Sequence, residues 1–166
     1  MIISPKTNQE IEELTLDLYN KYFEEDNFKL LENIIKDNNI QIKMANFRNT
    51  YRGNPLFRIA CLEIKKEKIL WIWDINTRLI ENYNIAKQLG HYYLHYESGE
   101  ETFDIIANKK IERQADLFSE SLLMPKEEFI KEYKFNNDLI LLAGKFKLPV
   151  EVVERRFNYL FDQIPF

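Results

Sequence analysis

Asn84-Ile85-Ala86-Lys87-Gln88-Leu89-Gly90-His91-Tyr92-Tyr93-Leu94-His95 has the frame of a metal-binding helix in which two of three chemical positions are exchanged. A working HExxH site sets two histidines four residues apart on a helix, with a glutamate beside the first. Two imidazoles then grip one zinc ion and a carboxylate takes a proton from water. Those three positions hold Lys87, Gln88 and His91. An ammonium group repels a metal cation where an imidazole lone pair is needed, and an amide cannot accept the proton of an attacking water. The spacing predicts the frame of the site without its chemistry.

On a helix, Lys87, His91 and His95 fall at i, i+4 and i+8 and share one face, with Gln88 beside the first. Such a row also fits a solvated stripe. The segment Ile111-Glu112-Arg113-Gln114-Ala115-Asp116-Leu117-Phe118-Ser119-Glu120-Ser121-Leu122-Leu123-Met124-Pro125 argues for the sharper reading. Glu112 and Asp116 also share a helical face, one short connection beyond His91, and a ligand carboxylate followed one turn later by an acid is how a zinc site orients its histidine.

The surrounding chain reads as a small sheet followed by a helical half. Ile11, Leu14, Leu18 and Tyr22 mark a first amphipathic helix, and Phe28, Leu31, Ile34 and Ile35 a second that Asn38-Asn39 stops. Ile40, Ile42 and Met44 alternate as a strand does, and Leu56 to Ile64 and Lys68 to Trp73 read as two more, joined by Lys65-Lys66-Glu67 as a hairpin loop. Both faces of Ile69-Leu70-Trp71-Ile72-Trp73 are apolar, so this strand is expected to be covered on both sides, by helices or by a partner. Ile85, Leu89, Tyr92 and Tyr93 define one later helix, and Ile111, Ala115, Phe118 and Leu122 another that Pro125 ends. Further helices fit Lys126 to Tyr133, Asp138 to Phe146 and Pro149 to Phe161, with Pro149 suited to a first helical position.

Composition narrows the classes. With 166 residues, 45% of them hydrophobic and 14% aromatic, the chain can bury one substantial core, and no linker or repeat divides it, so residues 1–166 are expected to form a single domain. A formal net charge of −4 gives no overall attraction to nucleic acid or anionic membrane. The single cysteine, Cys61, excludes an internal disulfide framework and is expected to pack in the core. Charged residues come too early for a signal peptide and no apolar run spans a membrane, so a cytoplasmic setting is expected.

Ala86 to His95 followed by Glu112 to Pro125 resembles the ImmA/IrrE family of metallopeptidase-fold proteins, whose members typically read HELGHxxLH and then ExxA(D/N)xFAxxLLMP. The resemblance is strongest over residues 83–125 and extends over 60–166, through Leu142-Ala143-Gly144-Lys145-Phe146-Lys147-Leu148-Pro149 to Arg155-Arg156-Phe157. It implies an α+β, zincin-like domain with a small, mostly antiparallel sheet of three or four strands packed against the active-site helices. His91 matches the second zinc histidine, Glu112 the third ligand, and Asp116 the residue that orients a ligand histidine. Lys87 replaces the first histidine and Gln88 the general base. No cofactor is therefore expected, zinc being the cofactor only if His91 and Glu112 still hold it with a rescued third ligand. Recruiting His95 would move the metal a full turn, ~5 Å along the helix, away from Glu112.

If Glu112 still points into the old pocket, loss of the dication leaves a carboxylate without a counter-charge, and the Lys87 ammonium can supply one. An ion pair from Lys87 to Glu112, shared with Asp116, is expected, the alternative being Lys87 extended to solvent. The family resemblance then implies an inactive protease that binds a regulatory protein, such as a helix-turn-helix repressor of a bacterial mobile element, without cutting it. Trp71 and Trp73 are candidates for the partner groove, as a strand edge for an extended peptide. The competing readings are a residual zinc metallo-endopeptidase and a DNA-binding regulator that uses Leu142 to Val153 as a helix-turn-helix, with Lys145, Lys147, Arg155 and Arg156 on phosphates. Glu151 and Glu154 dilute that basic face and argue against DNA.

Overall fold

Thr7 starts the first helix by a capping box: its side chain accepts from the Glu10 amide while the Glu10 carboxylate accepts from the Thr7 amide at 2.6 Å. The computed structural model describes residues 6–45, 60–64, 66–73, 78–96 and 109–162. α1 (Asn8–Tyr22) is followed by α2 (Asn27–Asp37), capped by Asp26, and then by β1 (Ile40–Ala45), β2 (Ala60–Ile64) and β3 (Lys68–Trp73). α3 (Arg78–His95), α4 (Lys109–Leu123), α5 (Lys126–Phe135), α6 (Leu139–Phe146) and α7 (Val150–Phe161) complete the order. Asn39, in the left-handed region at φ 54°, turns the chain from α2 into β1.

The sheet has the order β1-β3-β2, with β1 parallel and β2 antiparallel to β3. The expected hairpin is present, Ile64 pairing with Lys68 across residues 65–67. A mostly antiparallel sheet is corrected to a mixed one among the described residues, because β3, the return strand of the hairpin, lies beside β1 in the same direction. The two faces of β3 are covered unequally by the described residues. Leu70 and Ile72 are buried, whereas Ile69 and Trp71, on the other face, are only half-buried. Their cross-strand neighbours on β1 are Gln41 and Lys43, both exposed, so that face pairs apolar with polar side chains. Cys61 lies in β2 opposite Trp71, but its side chain is outside the described residues, as is the stretch 46–59 with the expected turn around Arg52-Gly53-Asn54-Pro55.

α4 is the centre of the helical part, packed against α1, α3 and α7 and buried from Gln114 to Leu123 apart from the half-buried Asp116. Phe118, Leu122, Leu123, Met124 and Phe129 form the core with Ile11, Leu30, Leu31 and Ile34 from the first two helices. Asn27 ties this region together, its side-chain amide donating to the carbonyls of Leu123 and Phe146, both at 2.9 Å. Phe28, expected on the apolar face of α2, is exposed, and Leu30 takes the buried position.

Gly90 sets the spacing that matters most for the site. A Cβ there would lie 3.1 Å from Phe118 Cδ1 and 3.2 Å from both Cα and O of Ala115, so α3 and α4 meet backbone to backbone. Gly90→Ala gains helix propensity worth about 1 kcal/mol but must displace a backbone that cannot rotate away, at about 1–3 kcal/mol. A net loss of about 1 kcal/mol is expected in denaturant unfolding. A rise in stability would show that the helices are not so closely apposed.

Candidate functional site

The close approach at Gly90 brings two ladders of side chains face to face. On α3 the ladder is Tyr83, Lys87, His91 and His95; on α4 it is Glu112, Asp116 and Glu120, each step one helical turn. The Lys87 ammonium sits 2.9 Å from Glu112 Oε2 and 2.8 Å from Asp116 Oδ1. The expected ion pair is therefore present and bridges both carboxylates. Lys87 is 21% exposed, so the alternative of a side chain extended to solvent does not describe it. Burial works against its charge, but hydrogen bonds to Asp116 and Glu112 outweigh this and hold its pKa above the ordinary lysine range. Gln88, next along α3, is half-buried.

The solvated-stripe reading fails for the histidines, which are 3% and 4% exposed. With both rings neutral, a chain of contacts assigns their tautomers. The Gln114 side-chain amide donates to the Lys6 carbonyl at 2.7 Å, which leaves its Oε1 to accept from His95 Nε2 at 3.0 Å. His95 Nδ1 is then the acceptor in its 3.3 Å contact with His91 Nδ1, so His91 carries its proton on Nδ1 and a lone pair on Nε2. That lone pair faces Glu112 Oε1 at 3.1 Å, and this buried oxygen receives no hydrogen bond. With both rings neutral this contact brings two acceptors together, and protonation of His91 would turn it into an ion pair. Burial pushes the His91 pKa down to about 4 against the pull of Glu112, and burial also lowers that of His95, in accord with neutral rings.

The other end of the ladders was missed by sequence reasoning. The Tyr83 hydroxyl donates to Asp116 Oδ1 at 2.7 Å and accepts from Arg155 Nη2 at 2.8 Å, while Arg155 Nε donates to Glu120 Oε1 at 2.8 Å. The signal was available: Tyr83 and Glu120 extend the same four-residue spacing by one turn each. Asp116 thus holds an ammonium and a phenol, and no histidine contact to it is found among the described residues.

Placement bears on three further expectations. β3 lies between β1 and β2, so Trp71 and Trp73 offer no open strand edge to a peptide; Trp71 has the Lys43 ammonium 5.7 Å from its ring, and the Trp73 side chain lies outside the described residues. Pro149 caps α7 rather than starting it. The basic residues assigned to phosphates are engaged within the chain: Lys145 with Glu132 at 3.2 Å, Lys147 with Asp26 at 2.6 Å, Arg155 as above, and Arg156 fully buried against Glu12. An arginine with no exposed surface cannot reach DNA.

Among the described residues no helix is long and apolar enough to cross a membrane. No curated protein matches the chain. The model of the family described as IrrE N-terminal-like domain, Peptidase_M78, matches residues 40–158, a span that contains the whole sheet, both ladders and Arg155. With well over half of its length matched, the chain belongs to the IrrE N-terminal-like family.

Proposed function

We propose that this chain is a catalytically inactive, zincin-like member of its family, one domain over residues 1–166, that binds a regulatory protein in the bacterial cytoplasm without cleaving it. The observation that carries the reading is the Lys87 ammonium lodged between Glu112 and Asp116. A catalytic zinc needs three protein donors and an open position for water. His91 and Glu112 supply two, and the third position presents a cation that would sit against the metal. The donor set does not fit catalytic zinc. Replacement of the general base by Gln88 independently removes a factor of ~10²–10⁴ in rate. By family resemblance, a helix-turn-helix repressor of a mobile element is the partner proposed.

One feature favours a residual metal site. The unpaired Glu112 Oε1 and the His91 Nε2 lone pair converge at 3.1 Å, as two ligands of one ion do. Metal analysis separates the readings. Protein purified without chelators should contain essentially no zinc by elemental analysis, while the Lys87→His/Gln88→Glu variant should bind close to one equivalent and cleave the protein that co-purifies with the native chain. Stoichiometric zinc in the native chain would overturn the inactive reading, and capture experiments that recover no stable partner would count against the binding role.

A further inference from the structure

The Glu112 carboxylate is served on one side only. Its Oε2 is held by the Lys87 ammonium, while the buried Oε1 receives no donor and faces the lone pair of His91 Nε2. Two buried acceptors in contact cost free energy, so something else must hold them there. With neutral rings, the hold runs through a relay that begins ahead of α1. The Lys6 carbonyl takes the Gln114 amide, Gln114 Oε1 takes the His95 Nε2 proton, and His95 Nδ1 takes that of His91 Nδ1. The peptide that bears the Lys6 carbonyl is planar, and its other end is pinned by the Thr7 amide donating to Glu10 in the capping box. Lys6, Thr7 and Glu10 are exposed, whereas Gln114, His95 and His91 are buried, so the relay runs from solvent into the site.

The same groups have a second arrangement. If the Gln114 side-chain amide turns over, it donates to His95 Nε2, His95 Nδ1 donates to His91 Nδ1, and His91 Nε2 donates to Glu112 Oε1. The proton on His91 Nδ1 passes to His95 Nδ1, His95 gives its Nε2 proton to water, and His91 takes one from water at Nε2. Each ring keeps one proton and no charge changes. Glu112 then has a donor on both oxygens. The conflict moves to the other end of the relay, where Gln114 Oε1 would meet the Lys6 carbonyl, acceptor against acceptor. An exposed carbonyl can withdraw to water, and a buried carboxylate oxygen cannot.

We propose that the Lys6–Thr7 peptide is a latch that selects between these two tautomers of the histidine pair, turning a His91 lone pair to Glu112 while closed and an N–H once released. Closed, His91 and Glu112 present two acceptors to any group that brings a donor. Released, they bond each other and the site is self-sufficient. The two states exchange one hydrogen bond for another, so a small displacement of exposed backbone resets the chemistry of a buried site on α3 and α4.

Nitrogen NMR on isotopically labelled histidine tests this, because the chain has two histidines and their four ring nitrogens can be followed one by one. The native chain is expected to carry its protons on His91 Nδ1 and His95 Nε2. Thr7→Ala with Glu10→Ala removes the capping box at exposed positions and should shift the His91 tautomer ratio about 10-fold towards Nε2–H. Gln114→Met, which can neither tie to Lys6 nor accept from His95, should shift it the same way. Asp138→Ala removes the side-chain cap of α6 instead and should leave both rings as they are, which separates the latch from a general loosening of the fold. Native tautomers in either the capping-box or the Gln114 variant overturn the proposal. So does an equal shift in Asp138→Ala, and so does a native chain in which His91 already bears a proton on Nε2 or is an imidazolium.

Discussion

Arg156→Ala is expected to lower the free energy of unfolding by about 3–5 kcal/mol, the range for breaking a buried ion pair from one side. Arg156 has no exposed surface. Its guanidinium donates through Nη1 and Nη2 to both oxygens of Glu12, through Nε to the Met124 carbonyl at 3.0 Å, and through Nη1 to Ser121 Oγ at 3.2 Å. Truncation leaves the Glu12 carboxylate, a buried carbonyl and a buried hydroxyl without their donor, and opens a cavity beside Tyr159. Arg156→Lys should recover only part of the loss, since an ammonium cannot reproduce the two-pronged bond to a carboxylate. Denaturant unfolding measures both, and an alanine variant within about 0.5 kcal/mol of the native chain would show that the buried pair carries no stability.

Lys87→Ala is the second large effect. A fully buried pair broken from one side costs about 3–5 kcal/mol, and because Glu112 and Asp116 keep 27% and 33% side-chain exposure, about 2–3 kcal/mol is expected here. Most of that loss is the repulsion and desolvation of two carboxylates left one turn apart. A neutral set, Lys87→Met with Glu112→Gln and Asp116→Asn, should therefore be more stable than Lys87→Ala despite carrying three substitutions. If the triple variant is no better than the single one, the ammonium is not balancing those two charges.

Periodicity located the elements well because most of them bury one apolar stripe. The apolar spacing from Ile111 to Leu122 reads as α4, and Lys68 to Trp73 as β3, without help from tertiary contacts. The facing of Lys87, His91, Glu112 and Asp116 was legible for the same reason, since four-residue spacing on two helices joined by one connection leaves few arrangements. What the sequence did not disclose depends on partners distant along the chain. The parallel register of β1 beside β3, the fixing of Gln114 by the Lys6 carbonyl, and the closure of Arg156 on Glu12 each join residues that no local pattern links. Arg155 and Arg156 read alike as basic side chains, yet one is half-exposed on Glu120 and the other is entombed.

The ties made by the residues ahead of β1 bear on how this protein can be dissected. Glu12 neutralises Arg156, Lys6 orients Gln114, and Asn27 satisfies carbonyls at the ends of α4 and α6, all from positions before residue 40 where the family match begins. A fragment trimmed to the matched span would strand an arginine in apolar surroundings and strip the core of Ile11, Leu30, Leu31 and Ile34. The boundary that defines kinship is thus not a boundary of folding, and the leading helices belong to the smallest piece able to stand alone.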